Sequence, residues 1–129
     1  VTQPPTVAAV LAAHSRVVEV GIGARPDVAA ALAERGCAVT ATDIEACTVP
    51  ETVRFVRDDV TDPERAVYEA ADAVYALRCP PELQRAVVDV AGAVGAACYL
   101  TTLGGEPVVV PVSERRTVAS GTLFVARDA

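Results

Sequence analysis

Val17-Val18-Glu19-Val20-Gly21-Ile22-Gly23 is the stretch that decides the fold. Valines running into a pair of glycines read as a buried strand that ends in a tight turn. Pro26 then opens a helix that runs to about Arg35, with Val28 and Leu32 facing inward, and Gly36 supplies its left-handed stop. Ala38 to Thr42 is a second strand, ending at Asp43. Strand, glycine turn, helix and strand make one βαβ unit, which places parallel strands side by side under a helix.

The same alternation continues on both sides. Upstream, Pro5 to about His14 predicts a short helix with Val7, Val10 and Leu11 on one face. Downstream, Val53 to Val56 is a third strand, followed by Asp58-Asp59. Asp62-Pro63 reads as a cap and first turn of a short helix carrying Val67 and Tyr68. Ala73 to Leu77 is a fourth strand, stopped by Cys79-Pro80-Pro81. A helix with Leu83, Val87, Val90, Ala91 and Val94 at helical spacing leads to a fifth strand, Ala97 to Thr101. After Gly104-Gly105 the pattern changes: Val108 to Val112 alternates, Arg115-Arg116 reads as a polar turn, and a last strand lies near Leu123 to Val125. The expectation is one α/β domain over residues 1–129, three layers deep. Its sheet is Rossmann-like, doubly wound and mostly parallel, with a C-terminal edge strand or hairpin.

Composition narrows the function classes. The chain has 129 residues, enough for a core without disulfides or a structural metal. Its formal charge is −6, and all eleven basic residues are arginine. That balance suits a salt-rich cytoplasm, and equally a GC-rich coding sequence. It argues against broad, sequence-independent nucleic-acid binding, which needs many uncompensated cations. Cys37, Cys47, Cys79 and Cys98 show no zinc or redox spacing, and the lone His14 completes no ligand set, so free thiols and no metal are expected. Without a secretory signal or a bilayer-length apolar run, the chain reads as cytoplasmic.

The glycine turn carries the functional signal. In a doubly wound sheet, ligands bind beyond the carboxyl ends of the strands. A dinucleotide requires Gly-x-Gly-x-x-Gly, but Pro26 stands at the third glycine position and Asp27 sets a carboxylate where a pyrophosphate would arrive. A ligand with positive charge and no phosphate fits better. S-adenosylmethionine is such a ligand, and Glu19, two residues before Gly21, is placed to reach its charged end. Asp43 closes the second strand, and a carboxylate there can accept both hydroxyls of a ribose. Asp59-Val60 follows the third strand, with Asp58 the alternative acid. The plainer reading of Glu19 and Asp43 is that they cap turns at strand ends.

This arrangement resembles the class I methyltransferases. The resemblance implies that Glu19, Gly21, Ile22 and Gly23 hold the methionine end of S-adenosylmethionine, Asp43 and Ile44 the ribose side, and Asp59 and Val60 the adenine. Two departures stand out. Arg25 occupies the place of a frequent third glycine, where its bulk would crowd the methionine end. At the end of the fourth strand, amino-group methyltransferases carry Asp/Asn-Pro-Pro-aromatic; here Cys79 and Glu82 flank Pro80-Pro81, so the acceptor and the stacking ring are both missing. A turn stiffened by two prolines is the alternative reading. The chain is similar also to a narrower group of small archaeal proteins related to these methyltransferases. The shared stretches are Glu19 to Gly23, Ala41 to Ile44, Asp58 to Val60, Tyr75 to Arg78 with Pro80 to Gln84, and Gly105-Glu106. That resemblance implies a Rossmann-like fold and an archaeal source, and an RNA methylase-like activity only by analogy.

Other charged residues receive blander readings. Arg78 is expected to pair with Glu82 or Glu106 rather than hold an anionic substrate. Arg115 and Arg116 are expected on a solvated turn, Glu106 on a loop, and His14 at a helix end where a cation is favoured. Three functions follow. The first is an S-adenosylmethionine-binding domain, a candidate methyltransferase for RNA or a small molecule. The second is a non-catalytic module that forms a homodimer or serves a partner protein. The third is a nucleotide binder, against which Pro26 and Asp27 count.

Overall fold

The computed structural model describes residues 3–129. Its elements are α1 (Val7–Leu11), β1 (Arg16–Val20), α2 (Asp27–Glu34), β2 (Ala38–Asp43), β3 (Val53–Arg57), β4 (Ala73–Ala76), α3 (Pro81–Val94), β5 (Ala97–Leu100), β6 (Glu114–Val118) and β7 (Gly121–Arg127). A single 3₁₀ turn at Arg65–Val67 joins β3 to β4. The strands form one seven-stranded sheet in the order β3-β2-β1-β4-β5-β7-β6. The first five are parallel, whereas β7 runs antiparallel to β5 and to β6. The sheet is therefore α/β, Rossmann-like and mostly parallel, with a C-terminal hairpin, as the alternation of elements predicts.

Strict alternation along each strand divides the core in two. Val17, Ala73, Tyr75, Ala97 and Leu123 face one way, against Leu11 of α1 and Ala29 and Leu32 of α2. Val18, Val74, Cys98 and Leu100 face the other, against Val87, Val90 and Ala91 of α3 and the ring of Tyr68. All of these are buried, which is what a parallel sheet covered on both faces demands. The chain leaves β1 toward β2 on one side, and β4 lies on the other. A crevice therefore opens at the carboxyl ends of β1 and β4, the switch point of the sheet.

Several local expectations are corrected. The N-terminal helix is shorter than proposed: Thr6 caps it, its Oγ1 accepting from Ala9 N–H at 3.0 Å, so Pro5 lies outside. Asp62-Pro63 starts no α-helix, only the 3₁₀ turn, whose approach is fixed by Glu64 N–H donating to Asp58 Oδ1 at 2.9 Å. Val108 to Val112 is not a strand. Pro107 and Pro111 remove ladder donors there. The side chain of Gln84 also takes the segment's polar groups, donating to Pro107 O (3.0 Å) and accepting from Val109 N–H (2.8 Å). Arg115-Arg116 is not a turn but the middle of edge strand β6, paired with Phe124 and Leu123. His14 is held by a side-chain contact rather than by the helix end. Its Nε2 lies 2.7 Å from Tyr99 Oη, and burial holds its pKa below the usual value. The four cysteines are free, as expected.

Gln84 is fully buried and also donates to Cys79 O at 3.3 Å, so one amide ties α3, the end of β4 and the loop after β5 together. A Gln84→Leu protein keeps the volume but leaves Cys79 O, Pro107 O and Val109 N–H without this partner, the first of them buried. We expect a loss of about 2 kcal/mol in chemical denaturation; a change below ~0.5 kcal/mol would show that the loop is held by other contacts.

Candidate functional site

The turn after β1 is shaped by its glycines. Gly21 (φ +75°) and Gly23 (φ +55°) adopt left-handed conformations that side chains avoid, and open space surrounds the position each Cβ would take. Gly21 and Ile22 N–H both donate to Thr42 O, at 2.9 and 3.0 Å. Gly23 N–H donates to Asp43 Oδ2 at 2.9 Å. The turn's donors are thus spent on the end of β2, and few remain for a phosphate. This agrees with the reading against a dinucleotide.

Two cavities open above the strand ends. The larger, about 970 Å³, has Glu19, the Gly21–Arg25 turn and Arg78 on its near side and the loop after β5 on its far side. The smaller, about 260 Å³, is bounded by Val20, Asp43, Ile44, Asp58 and Cys79. Gly21, Leu77 and Arg78 belong to both, so the cavities meet over the end of β1. Their size is that of small-molecule sites, about 300–1,000 Å³. Arg25 stands exposed on the wall of the larger cavity and does not close it.

Glu19 is 2% exposed and forms the floor of the larger cavity. It lies opposite Tyr75 across the β1–β4 ladder, and Tyr75 Oη donates to its Oε1 at 2.7 Å. No buried side-chain oxygen or nitrogen lacks a partner among the described residues. The free Oε2 of Glu19 therefore reaches the cavity rather than the core. Burial without a cationic partner pushes the Glu19 carboxyl up to about 7, and the Tyr75 hydrogen bond opposes this only in part. Tyr75 is itself shifted far upward by burial and by Glu19.

The other acids divide. Asp43 lines the smaller cavity and clamps the turn, since besides Gly23 it accepts from Glu45 N–H through Oδ1 (3.1 Å). Asp58 also lines that cavity, and its Oδ2 accepts from Tyr68 Oη at 2.7 Å. Asp59 bounds neither cavity. It is exposed, and its Oδ1 accepts from the N–H (2.9 Å) and hydroxyl (2.7 Å) of Thr61, bonds that hold its carboxyl below the usual range. Ile44 is 58% exposed beside the smaller cavity, Ile22 is buried beneath the turn, and Val60 is packed in the second core. The structure thus brings together Glu19, Gly21, Ile22 and Gly23 on one cavity and Asp43 and Ile44 on the other. It sets Asp58, rather than Asp59, beside them.

Two further expectations change. Arg78 pairs with neither Glu82 nor Glu106, because the ion pairs among the described residues are Arg85–Asp89 and Arg116–Glu114. Cys79 lines the smaller cavity, but burial first, with Glu82 and Glu106 adding to it, pushes its thiol up to about 11. At neutral pH it is not a thiolate nucleophile. No group of three or more metal-ligating side chains occurs among the described residues.

Comparison with known proteins agrees with this geometry. Residues 1–129 match the model described as "Uncharacterised protein family (UPF0146)". The chain belongs to this family. A UPF0146 protein of Halobacterium salinarum is 99% identical over 128 residues, 99% of each chain. One from Archaeoglobus fulgidus is 50% identical over 93 residues, 72% of each. Among solved structures, the chain resembles one of a fibrillarin/Nop5p complex with a TM-score of 0.64, at 13% identity, over 94% of this chain and 78% of that one. It also resembles the MycE methyltransferase in complex with Mg and SAH, with a TM-score of 0.57 at 14% identity, over 88% of this chain but 41% of that one. The fold is a Rossmann-like one that these structures share, and the relatives reported are archaeal, one of them from a halophile.

The shifted carboxyl makes a stability prediction. A carboxyl whose folded pKa is raised from 4.5 to about 7 stabilises the fold fully below pH 4.5. That contribution declines as pH rises to about 7, by up to ~3 kcal/mol. Glu19→Gln cannot ionise. Denaturation in constant salt should show wild type losing stability relative to Glu19→Gln between pH 4.5 and 7. Parallel profiles would mean that Glu19 is charged at neutral pH.

Proposed function

We propose that UPF0146 chains of this type bind S-adenosylmethionine across the two joined cavities and serve as methyltransferases. The observation that carries this reading is the buried, cation-free carboxyl of Glu19 at the floor of a cavity on the switch point. A carboxyl in that state gains most from a ligand that brings its own positive charge. In this reading Glu19 Oε2 receives the ammonium of the methionine end. The backbone of Gly21 and Gly23 allows close approach without a Cβ in the way. Asp43, whose oxygens each retain acceptor capacity, takes the ribose hydroxyls. Asp58 lies where the adenine amino group would arrive, Ile44 covers the ring, and Val60 supports that side from the core; Asp59 in this geometry holds the Thr61 turn.

Held by Glu19, Asp43 and Asp58, S-adenosylmethionine would supply an electrophilic methyl carbon on a sulfonium, whose departure as a neutral thioether would balance the new bond to an acceptor. The chain's own part is positional. Gly21 and Leu77 lie where the two cavities meet, the place at which donor and acceptor would be held in line. The fold likeness to MycE, a methyltransferase solved with SAH, supports the same reading.

Calorimetry with S-adenosylhomocysteine tests it. We expect saturable binding in the wild type. Gly21→Val should weaken it at least tenfold, because its side chain enters the cavity in a strained conformation. Binding should also release a proton below pH ~7, read from heats that depend on the buffer, and Glu19→Gln should abolish that release. Absence of heat at millimolar ligand, or binding unchanged in Gly21→Val, would refute the assignment.

A further inference from the structure

Among the described residues, Arg78 is the only one other than glycine with a positive φ, +50°. That conformation carries a steric cost which glycine escapes. Thr101 holds it there: Arg78 N–H donates to Thr101 Oγ1, and Cys79 N–H to Thr101 O, both at 2.8 Å. The side chain so presented is exposed, has no carboxylate partner, and borders both cavities at their seam. A second arginine borders the larger cavity. Arg25 lies exposed on its wall, while Arg115, 5.7 Å from the centre of the Phe124 ring, stands behind a residue that lines the cavity and does not itself border it. In a chain of net charge −6, two arginines without an ion pair at one opening make a local concentration of positive charge.

The donor reading accounts for Glu19, Gly21, Asp43 and Asp58 and leaves Arg78, Thr101 and Thr102 unused. The larger cavity, at about 970 Å³, also exceeds what a methionine chain fills. We propose that Arg78 anchors the methyl acceptor, and that the acceptor is a small molecule bearing a carboxylate or phosphate, its nucleophilic atom placed over Gly21. A guanidinium grips such an oxyanion through two parallel hydrogen bonds. A small anion is favoured over a nucleic-acid strand because Asp27 and Glu106 border the same cavity and the chain's net charge repels a polyanion outside it. The acceptor role rests on the donor reading; the anion site does not.

The test follows the arginine Nε–H resonances by NMR in potassium chloride of fixed concentration, with and without saturating S-adenosylhomocysteine. Inorganic phosphate and acetate are the probes, and a single-stranded oligonucleotide is the polyanion control. We expect a saturable shift of the Arg78 resonance with phosphate or acetate. Binding of the same probe, read on the resonance of Arg25, should be at least tenfold weaker in Arg78→Gly. Arg78→Gly should melt no lower than the wild type, since glycine relieves the positive φ, so the loss is not unfolding. Absence of a saturable shift, or undiminished binding in Arg78→Gly, overturns the anion site. Tighter binding of the oligonucleotide than of phosphate overturns the small-molecule acceptor. If S-adenosylhomocysteine fails to bind, the donor reading and the acceptor role fall together, while phosphate in the ligand-free protein still decides the anion site.

Discussion

A carboxyl group taken out of water must be neutral, paired with a cation, or waiting for one. Glu19 meets this constraint at the point where the sheet's chain order reverses. Tyr75 satisfies one oxygen from the neighbouring strand, and the other oxygen faces the cavity. Among the described residues none supplies a positive partner, and burial sets the group near the protonation boundary at neutral pH. An apolar residue at this position would give a more stable sheet. A ligand that brings its own positive charge, as the proposed methyl donor does, would relieve that cost.

The turn above it is held by a second acid with a different task. Asp43 fastens Gly23 to the end of β2, while Thr42 O takes the two preceding N–H groups. A phosphate-binding turn would keep those donors free. Here they are consumed in fixing the backbone, and what the turn offers a ligand is clearance rather than hydrogen bonds. The reading of Asp43 as a cap at the strand end and the reading of it as a ligand contact are therefore compatible. The same carboxylate shapes the turn and lines the smaller cavity.

Much of this was legible in the sequence because the deciding features are local. Buried parallel strands are written as runs of Val and Ala, and left-handed turns as Gly21, Gly23 and Gly36. What was not legible depends on distant partners. Edge strand β6 exposes Arg115 and Arg116 and owes its form to pairing with β7, so its own residues read as a turn. Val108 to Val112 has the composition of a strand, but its polar groups go to Gln84 and to no neighbouring strand. Asp58 and Asp59 are adjacent, and the loop after β3, rather than either residue's chemistry, decides which one borders the cavity. Gln84 did leave a signal: it stands three residues before Val87 and seven before Ala91, on the face of α3 that packs inward. A polar residue there calls for a buried partner. The unpaired state of Arg78 had no such signal, since Glu82 lies one helical turn along the chain and Glu106 beyond the next strand, yet neither forms an ion pair with it.

The three bonds of Gln84 have a consequence for how the cleft opens. They fasten Pro107 and Val109 to a helix that is itself packed on the sheet, so the segment bearing Thr101, Thr102 and Glu106 is tethered a few residues from its far end. Such a wall cannot swing over an occupant as a hinged cover does. Selection must then come from the rigid outline of the opening and the charges set around it, and the traffic of molecules in and out is governed by diffusion through a permanent doorway.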